Sequence, residues 1–208
     1  MKADNTMKIR ITLNEEVLGS SPNKEDIFRE YVASKAPDAA KIEDEVAALG
    51  VDTVEEKGIT VFPKDKEGNP CIYDYQLRGF FKESFSALAK AGKAGYPGGK
   101  HCAAMKAFKK AVDQHLFVFP RMIPYQLNGG DMGTCVRPLR TDGPTGSRVA
   151  LAKSETVPAG STIEFDVMML VPDLKDCVIE ALEYGQFHGL GQWRNSSKGI
   201  FSYEILDA

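Results

Sequence analysis

Alternation of apolar and polar residues is clearest near the start of the sequence. From Met7 to Leu13 every second residue is apolar, which places positions 7, 9, 11 and 13 on one face. Lys8, Arg10 and Thr12 fall on the other face. A period of two is typical of a strand with one buried side, so this segment predicts a core strand.

Helical periodicity dominates the segment from Gln76 to Ala91. Its apolar residues recur at intervals of three and four, which predicts an amphipathic helix with Arg78 and Lys82 outside the buried stripe. Shorter patterns with capping or helix-ending residues predict further helices over residues 23–37, 38–50, 103–112 and 174–184.

Short apolar runs between Gly-, Pro- and Asp-rich loops predict strands in the second half of the chain. They cover residues 116–119, 122–127, 134–139, 148–152, 163–170 and 200–205. Two earlier runs, 59–62 and 71–75, flank a polar turn and predict a β-hairpin. This order of elements predicts a single α+β domain, with insertions at about 14–57, 92–101 and 128–147.

The composition is that of a globular protein with an uneven charge distribution. Of the 208 residues 43% are hydrophobic and 26% are charged, which excludes a disordered or fibrous chain. The net charge of −3 gives no reason to expect a nucleic-acid partner. However, residues 61–150 carry 14 basic and 7 acidic side chains, whereas both ends of the chain are acidic. A polyanion can therefore bind locally to the basic middle segment.

The sequence predicts a cytoplasmic protein that does not enter a membrane. It begins without an apolar signal segment and contains no run of roughly 18 apolar residues. The four cysteines stand too far apart for a zinc or redox motif, so we expect reduced thiols. Since no phosphate-binding loop, nucleophile elbow or zinc-protease motif occurs, we expect neither a cofactor nor a metal.

Three segments together carry a resemblance to a known family. Tyr73–Glu83 leads from a strand into a helix with a glycine and basic residues, Glu155–Val167 is a Glu-Thr-Val-Pro-Ala-Gly turn before a strand, and Gly189–Gly199 is a glycine-rich loop with arginine. In this order they resemble the RAMP superfamily, and within it the Cas7-like backbone subunits of CRISPR effector complexes. The sequence also resembles short proteins of bacterial phages and integrated elements.

The resemblance implies a fold, a ligand and an assembly. The implied fold is a ferredoxin-like β-α-β-β-α-β core enlarged by helical and hairpin insertions. In this family the glycine-rich loop and nearby basic residues contact RNA backbone, so we expect single-stranded nucleic acid, RNA in preference to DNA, as the partner. Cas7-like subunits stack head to tail, which implies a homo-oligomer or a multi-subunit complex.

The residues predicted to bind nucleic acid carry a positive charge, an amide or an aromatic ring. Arg194 and Lys198 supply charge for phosphates, and Trp193 can stack on a base or fill the core. Arg78 and Lys82 are four residues apart and share a helix face, where they line a groove or form salt bridges with acids. The predicted set is Arg78, Lys82, Lys93, Lys100, Arg121, Arg137, Arg140, Gln192, Trp193, Arg194, Asn195 and Lys198.

Two alternatives to simple RNA binding remain open. Some RAMP proteins cleave RNA with a histidine as general acid or base, and His188 beside the glycine-rich loop is the best candidate for that role here. The same histidine can instead have a structural role. A phage-encoded protein of this fold can also act on a host complex by binding protein instead of nucleic acid.

Overall fold

The computed structural model describes residues 5–22, 59–143 and 146–207, without the side chains of residues 22, 139–150 and 207. The helices predicted over 23–37 and 38–50 lie outside the described residues. Of the insertion predicted at 14–57, only residues 14–22 are described.

The described residues form eleven strands and four α-helices. The strands are β1 (Thr6–Leu13), β2 (Val17–Leu18), β3 (Ser21–Pro22), β4 (Ile59–Val61), β5 (Cys71–Tyr73), β6 (Leu116–Phe119), β7 (Met122–Pro124), β8 (Gly133–Gly143), β9 (Gly146–Val157), β10 (Thr162–Met169) and β11 (Phe201–Asp207). The helices are α1 (Asp74–Lys93), α2 (Lys100–Ala104), α3 (Phe108–His115) and α4 (Leu174–His188).

One antiparallel sheet has the strand order β11-β1-β10-β6. Along the chain these strands and the two long helices follow as β1-α1-β6-β10-α4-β11. This order of strands and helices is ferredoxin-like, which confirms the predicted α+β fold class.

Strand β1 lies in the middle of this sheet and contributes much of the core. Its residues at positions 7, 9, 11 and 13 are at most 2% exposed, which confirms the predicted alternation. The helices cover this face: the rings of Phe80 in α1 and Phe201 in β11 lie 5.8 Å apart. Gly185 of α4 leaves room for the ring of Phe201, because a Cβ at position 185 would lie 2.2 Å from that ring.

The chain divides into two compact units. The core unit comprises residues 1–17, 63–131 and 157–208 and contains the ferredoxin-like sheet. The hairpin unit comprises residues 18–62 and 132–156. In it the long strands β8 and β9 pair from Gly133↔Thr156 to Gly143↔Gly146, and β4 runs parallel to β9. The expectation of a single domain with insertions stays a prediction.

Two local predictions were wrong in part. The segments 59–62 and 71–75 are not partner strands, since β4 pairs with β3 and β9 whereas β5 pairs with β7. The predicted turn between them does form, with an antiparallel bridge between Lys64 and Pro70. The helix predicted over 103–112 is broken into α2 and α3, and Ala107 at the break has a φ of 53°. A left-handed conformation is uncommon for alanine, and no Gly or Pro occurs between residues 103 and 112. The sequence therefore gives no local signal for this break. The strands predicted at 134–139 and 148–152 are parts of the long β8–β9 hairpin.

Candidate nucleic-acid interface

The loop between α4 and β11 is closed by contacts between its two ends. The backbone N–H of Leu190 donates to the carbonyl of Gly199 at 2.8 Å. Gly199 has a φ of 71°, and a Cβ on it would lie 2.1 Å from the Leu190 carbonyl oxygen. Gly189, with a φ of 77°, approaches the backbone of residues 198–200 in the same way. These two glycines therefore allow the loop to close.

The predicted Arg194 lies in a cluster of polar side chains from α1, α4 and the loop. Its Nη1 donates to Oε2 of Glu83 at 2.7 Å and also lies 2.7 Å from Nε2 of His188. On the other side of the imidazole ring, the Tyr184 hydroxyl lies 3.2 Å from Nδ1 of His188. Glu83 Oε1 is 3.3 Å from the same Nε2. Arg194 thus connects the loop to α1 through Glu83 and to α4 through His188.

The chemistry of this cluster limits what His188 can do. Nε2 of His188 lies within hydrogen-bond distance of both Arg194 and Glu83, and it can accept from the arginine or donate to the carboxylate but cannot do both at once. Hydrogen bonding from Arg194 lowers the pKa of Glu83 below its ordinary value, although partial burial opposes the shift. Partial burial and the nearby Glu83 charge raise the pKa of Tyr184. Glu83 is therefore an anion and Tyr184 a neutral phenol near neutral pH.

Arg78 and Lys82 project from one face of α1 toward α3, as their spacing predicts. Arg78 Nη2 donates to the backbone carbonyl of Asp113 at 3.1 Å, and its guanidinium lies over the Phe117 ring. Lys82 forms an ion pair with the Asp113 carboxylate. The acid in this pair is Asp113, whereas Glu83, the acid adjacent in sequence, pairs with Arg194.

The remaining predicted residues lie in several different places. Lys198 forms an ion pair with Glu16 at 2.9 Å near the base of the loop, where Gln192 and Trp193 are partly buried and Asn195 is exposed. Lys93, Lys100 and Arg121 are exposed in the core unit. Arg137 is partly buried on β8 of the hairpin unit, and the side chain of Arg140 lies outside the described residues. The binding role of all twelve residues stays a prediction.

Exposed cations are concentrated in the segment 74–121, which we call the cationic layer and which contains α1, α2 and α3. Seven of its basic side chains are exposed: Lys90, Lys93, Lys100, Lys106, Lys109, Lys110 and Arg121. The layer contains three acids, of which two are paired with cations, Glu83 with Arg194 and Asp113 with Lys82; the third is Asp74, in the first turn of α1. The layer therefore has an excess of exposed cations within a protein that is acidic as a whole, although Asp173 and Asp176 line the same pocket as its Lys106 and Lys110.

The sheet face that points away from α1 and α4 has a different electrostatic character. Arg10 on β1 lies between Glu164 on β10 at 2.7 Å and Glu204 on β11 at 3.3 Å. Lys8 also pairs with Glu164, at 3.6 Å. Because these cations already have carboxylate partners, this face is a poor surface for a polyanion.

An aromatic pair that the sequence analysis did not single out lies where β5 enters α1. The rings of Tyr73 and Tyr75 stack with centroids 5.2 Å apart and an interplanar angle of 17°. Tyr75 is 54% exposed. The available signal was a Tyr-Asp-Tyr triplet at a strand-to-helix junction, in which two tyrosines flank the first residue of α1.

A pocket of 650 Å³ lies in the core unit, between α2 and α3 of the cationic layer and the start of α4. His101 and Asp176 form a 3.3 Å contact at its wall. The lining includes none of the twelve predicted residues. Among the described side chains, no group of three or more His, Cys, Asp or Glu residues is arranged to hold a metal ion.

Comparison with known proteins supports the fold. No family model matches the sequence, and no curated protein matches it. One solved chain of the same fold comes from the cryo-EM structure of the Type III-B Cmr-beta bound to cognate target RNA. The match has a TM-score of 0.57 at 9% sequence identity and covers 97% of this chain, which spans 60% of the length of that one. Within the described ranges no helix is long and apolar enough to cross a membrane.

Proposed function

We propose that this protein binds single-stranded RNA along its sugar–phosphate backbone through the cationic layer. The observation that carries the proposal is the concentration of seven exposed cations on α1, α2, α3 and the adjoining loops, where two of the three acids are already paired. Contacts of lysine and arginine with phosphates position a strand without reading its sequence. The expected binding is therefore dependent on salt and tolerant of base sequence.

RNA is the proposed ligand because two independent observations favour it. The three motifs resemble those of RAMP proteins, and the solved chain of similar fold comes from a structure described as the Type III-B Cmr-beta bound to cognate target RNA. A Cas7-like role includes assembly, so we propose that copies of this chain associate head to tail on the RNA strand. Light scattering with and without an RNA of roughly 30 nucleotides tests this part, and a monomer in both samples contradicts it.

The decisive experiment measures RNA affinity by fluorescence anisotropy over a series of salt concentrations. For single strands the logarithm of affinity falls with the logarithm of salt concentration with a slope of about −0.7 for each phosphate neutralised. The double variant Lys93→Gln and Lys100→Gln is expected to bind more weakly and with a shallower slope. A matched variant, Lys66→Gln and Lys175→Gln, removes two exposed lysines outside the layer.

Two results would contradict the proposal. The first is wild-type binding that is absent or independent of salt. The second is an equal loss of affinity in both double variants, because it would assign the effect to net charge alone. The opposite pattern, in which only the layer variant is impaired, locates the strand on the layer.

The ribonuclease alternative receives no specific support from the geometry. A general acid or base must reach the proton that it transfers, whereas Nδ1 of His188 lies within hydrogen-bond distance of Tyr184 and Nε2 within that of Arg194. Incubation of wild type with labelled RNA tests this alternative directly. Cleavage that the His188→Ala variant abolishes, while it still binds RNA, would establish a catalytic role in place of simple binding.

A further inference from the structure

We propose that the stacked rings of Tyr73 and Tyr75 form a platform on which one base of the bound RNA strand stacks. This inference rests on the proposed function and adds to it a contact with a base. It concerns residues outside the predicted set of twelve.

The geometry of the pair is that of a preformed stacking surface. The rings are nearly parallel, with an interplanar angle of 17° and centroids 5.2 Å apart, so a base that stacks on Tyr75 extends an existing aromatic stack. Tyr75 is 54% exposed, so its ring is accessible from solvent. Every base has a π-face, and base–aromatic stacking is therefore tolerant of sequence, which is consistent with binding along the backbone.

The backbone that carries the two rings is held in place by three contacts. The N–H of Tyr73 donates to the side-chain carbonyl of Gln76 at 2.9 Å. The N–H of Asp74 donates to the carbonyl of Arg121, also at 2.9 Å. Tyr73 pairs with Met122 in the β5–β7 sheet. Because the segment is already ordered, stacking of a base there does not incur the entropic cost of ordering the backbone.

Cations beside the rings indicate a nucleotide as the occupant. Arg121 is exposed, and its backbone is hydrogen-bonded to the same turn, so a phosphate next to the stacked base lies within reach of the cationic layer. Arg78 follows Tyr75 by one turn of α1. The opposing charge in this region is Asp74, in the first turn of the helix. A phenol that remains neutral is the better stacking partner beside phosphates, and partial burial raises the pKa of Tyr75, against the nearby Arg121.

The test compares two ligands and four proteins. The ligands are an unstructured RNA and an RNA of equal length with a run of abasic positions, which keeps the phosphates and removes the bases. The proteins are wild type, Tyr75→Ala, Tyr75→Phe and the control Tyr96→Ala, which removes a tyrosine that is also 54% exposed. Thermal unfolding curves of all four proteins establish that each is folded.

We expect Tyr75→Ala to weaken binding of the normal RNA by about tenfold, within the range for loss of one stacked base. Binding of the abasic RNA should be unchanged, and Tyr75→Phe and Tyr96→Ala should bind both ligands as wild type does. As a second measurement, a fluorescent purine in the strand should be quenched on binding to wild type and less so on binding to Tyr75→Ala.

The other possible outcomes distinguish failure of the platform from failure of the proposed function. Unchanged affinity of Tyr75→Ala for normal RNA, or an equal loss for both ligands, overturns the platform and leaves backbone binding intact. Failure of wild type to bind either ligand overturns the proposed function and the platform with it.

Discussion

Nη1 of Arg194 lies 2.7 Å from Oε2 of Glu83, so an ion pair links the glycine-rich loop to helix α1. The cation that the sequence marks as a phosphate ligand therefore has an anionic partner within the protein. An RNA phosphate that binds Arg194 has to replace this carboxylate or share the guanidinium with it. Glu83 thus competes with RNA for the same donor.

Replacing Glu83 by glutamine should increase RNA affinity. Glu83→Gln removes the competing charge and leaves a side chain of the same size, so Arg194 is freer to bind phosphate. Exposed ion pairs contribute about 0.2–1 kcal/mol, which corresponds to an increase of roughly 1.5- to 5-fold in affinity. Anisotropy titrations at one salt concentration measure the effect.

The control for this variant is Glu204→Gln, which makes the same change in net charge on the opposite sheet face, beside Arg10. Equal gains in the two variants would mean that overall charge, and not release of Arg194, causes the increase. A decrease in affinity of Glu83→Gln would mean that the ion pair holds the loop in its binding conformation.

Stability toward acid should depend on two arginine–carboxylate pairs. Arg194 lowers the pKa of Glu83, and Arg10 lowers the pKa of Glu164, in both cases from an ordinary value of 4.5. A depressed carboxyl pKa adds stability above pH 4.5 that is lost as pH falls through the folded-state value. Wild type should therefore lose stability below pH 4.5 more steeply than the variant Glu83→Gln or Glu164→Gln.

Urea unfolding between pH 7 and pH 3 measures these slopes. The differences should be small, because both carboxylates are in contact with solvent. Parallel curves for wild type and both variants would show that the pairs add no stability.

Glu180 of α4 should stabilise the fold more than any of these exposed pairs. It is only 6% exposed, and its two carboxylate oxygens accept hydrogen bonds from the backbone N–H groups of His101 and Cys102 at 2.8 and 2.9 Å. Glu180→Ala leaves both donors unsatisfied at the start of α2, so we expect a loss of about 2 kcal/mol in the free energy of unfolding. Glu180→Gln retains one acceptor and should lose about half as much.

Glu183→Ala is the matched control, because Glu183 lies on the same helix and is exposed. Its effect should stay within about 0.5 kcal/mol of zero. A similar loss in the two alanine variants would indicate that α4 depends on its acidic residues in general and not on the α2 contact.

Two helix glycines should respond to alanine in opposite ways. Gly79 in α1 is exposed and has no neighbouring atom within 4 Å of an added Cβ, so Gly79→Ala should raise stability by about 0.5–1 kcal/mol. In Gly185→Ala the new Cβ would lie 2.2 Å from the Phe201 ring and 2.8 Å from Phe80, so we expect a loss of about 1–3 kcal/mol. Thermal or urea unfolding distinguishes the two, and changes of the same sign would refute this packing argument.

Local patterns predicted the elements of the core well. The alternation from residue 7 to 13 identified β1, and the apolar stripe at 76–91 identified α1, which extends two residues further at each end. Each of these patterns shows which side of a single element is buried, so it can be read from a short stretch of sequence. The partner of a strand cannot be read in this way, and β4 and β5, at three residues each, are too short for any pattern to indicate one.

The sequence was sufficient to predict which residue types form the candidate site, but not which of these residues form ion pairs with each other. The sequence indicated which cations were candidates, since charge is visible residue by residue. It did not indicate that Arg194 would meet Glu83, 111 residues earlier, or that Lys82 would meet Asp113 on a different helix. Such pairs depend on how α1, α3 and α4 pack, which is set by the buried faces and not by the charges themselves.

The strand order of the core has a consequence for synthesis of the protein. Strand β1 is made first, yet its two neighbours, β10 and β11, begin at Thr162 and Phe201. At about 5–20 residues per second the ribosome needs roughly ten seconds or more to produce both partners. Strand β1 therefore lacks both of its neighbours in the sheet until β10 has been made, and it lacks one of them until β11 follows.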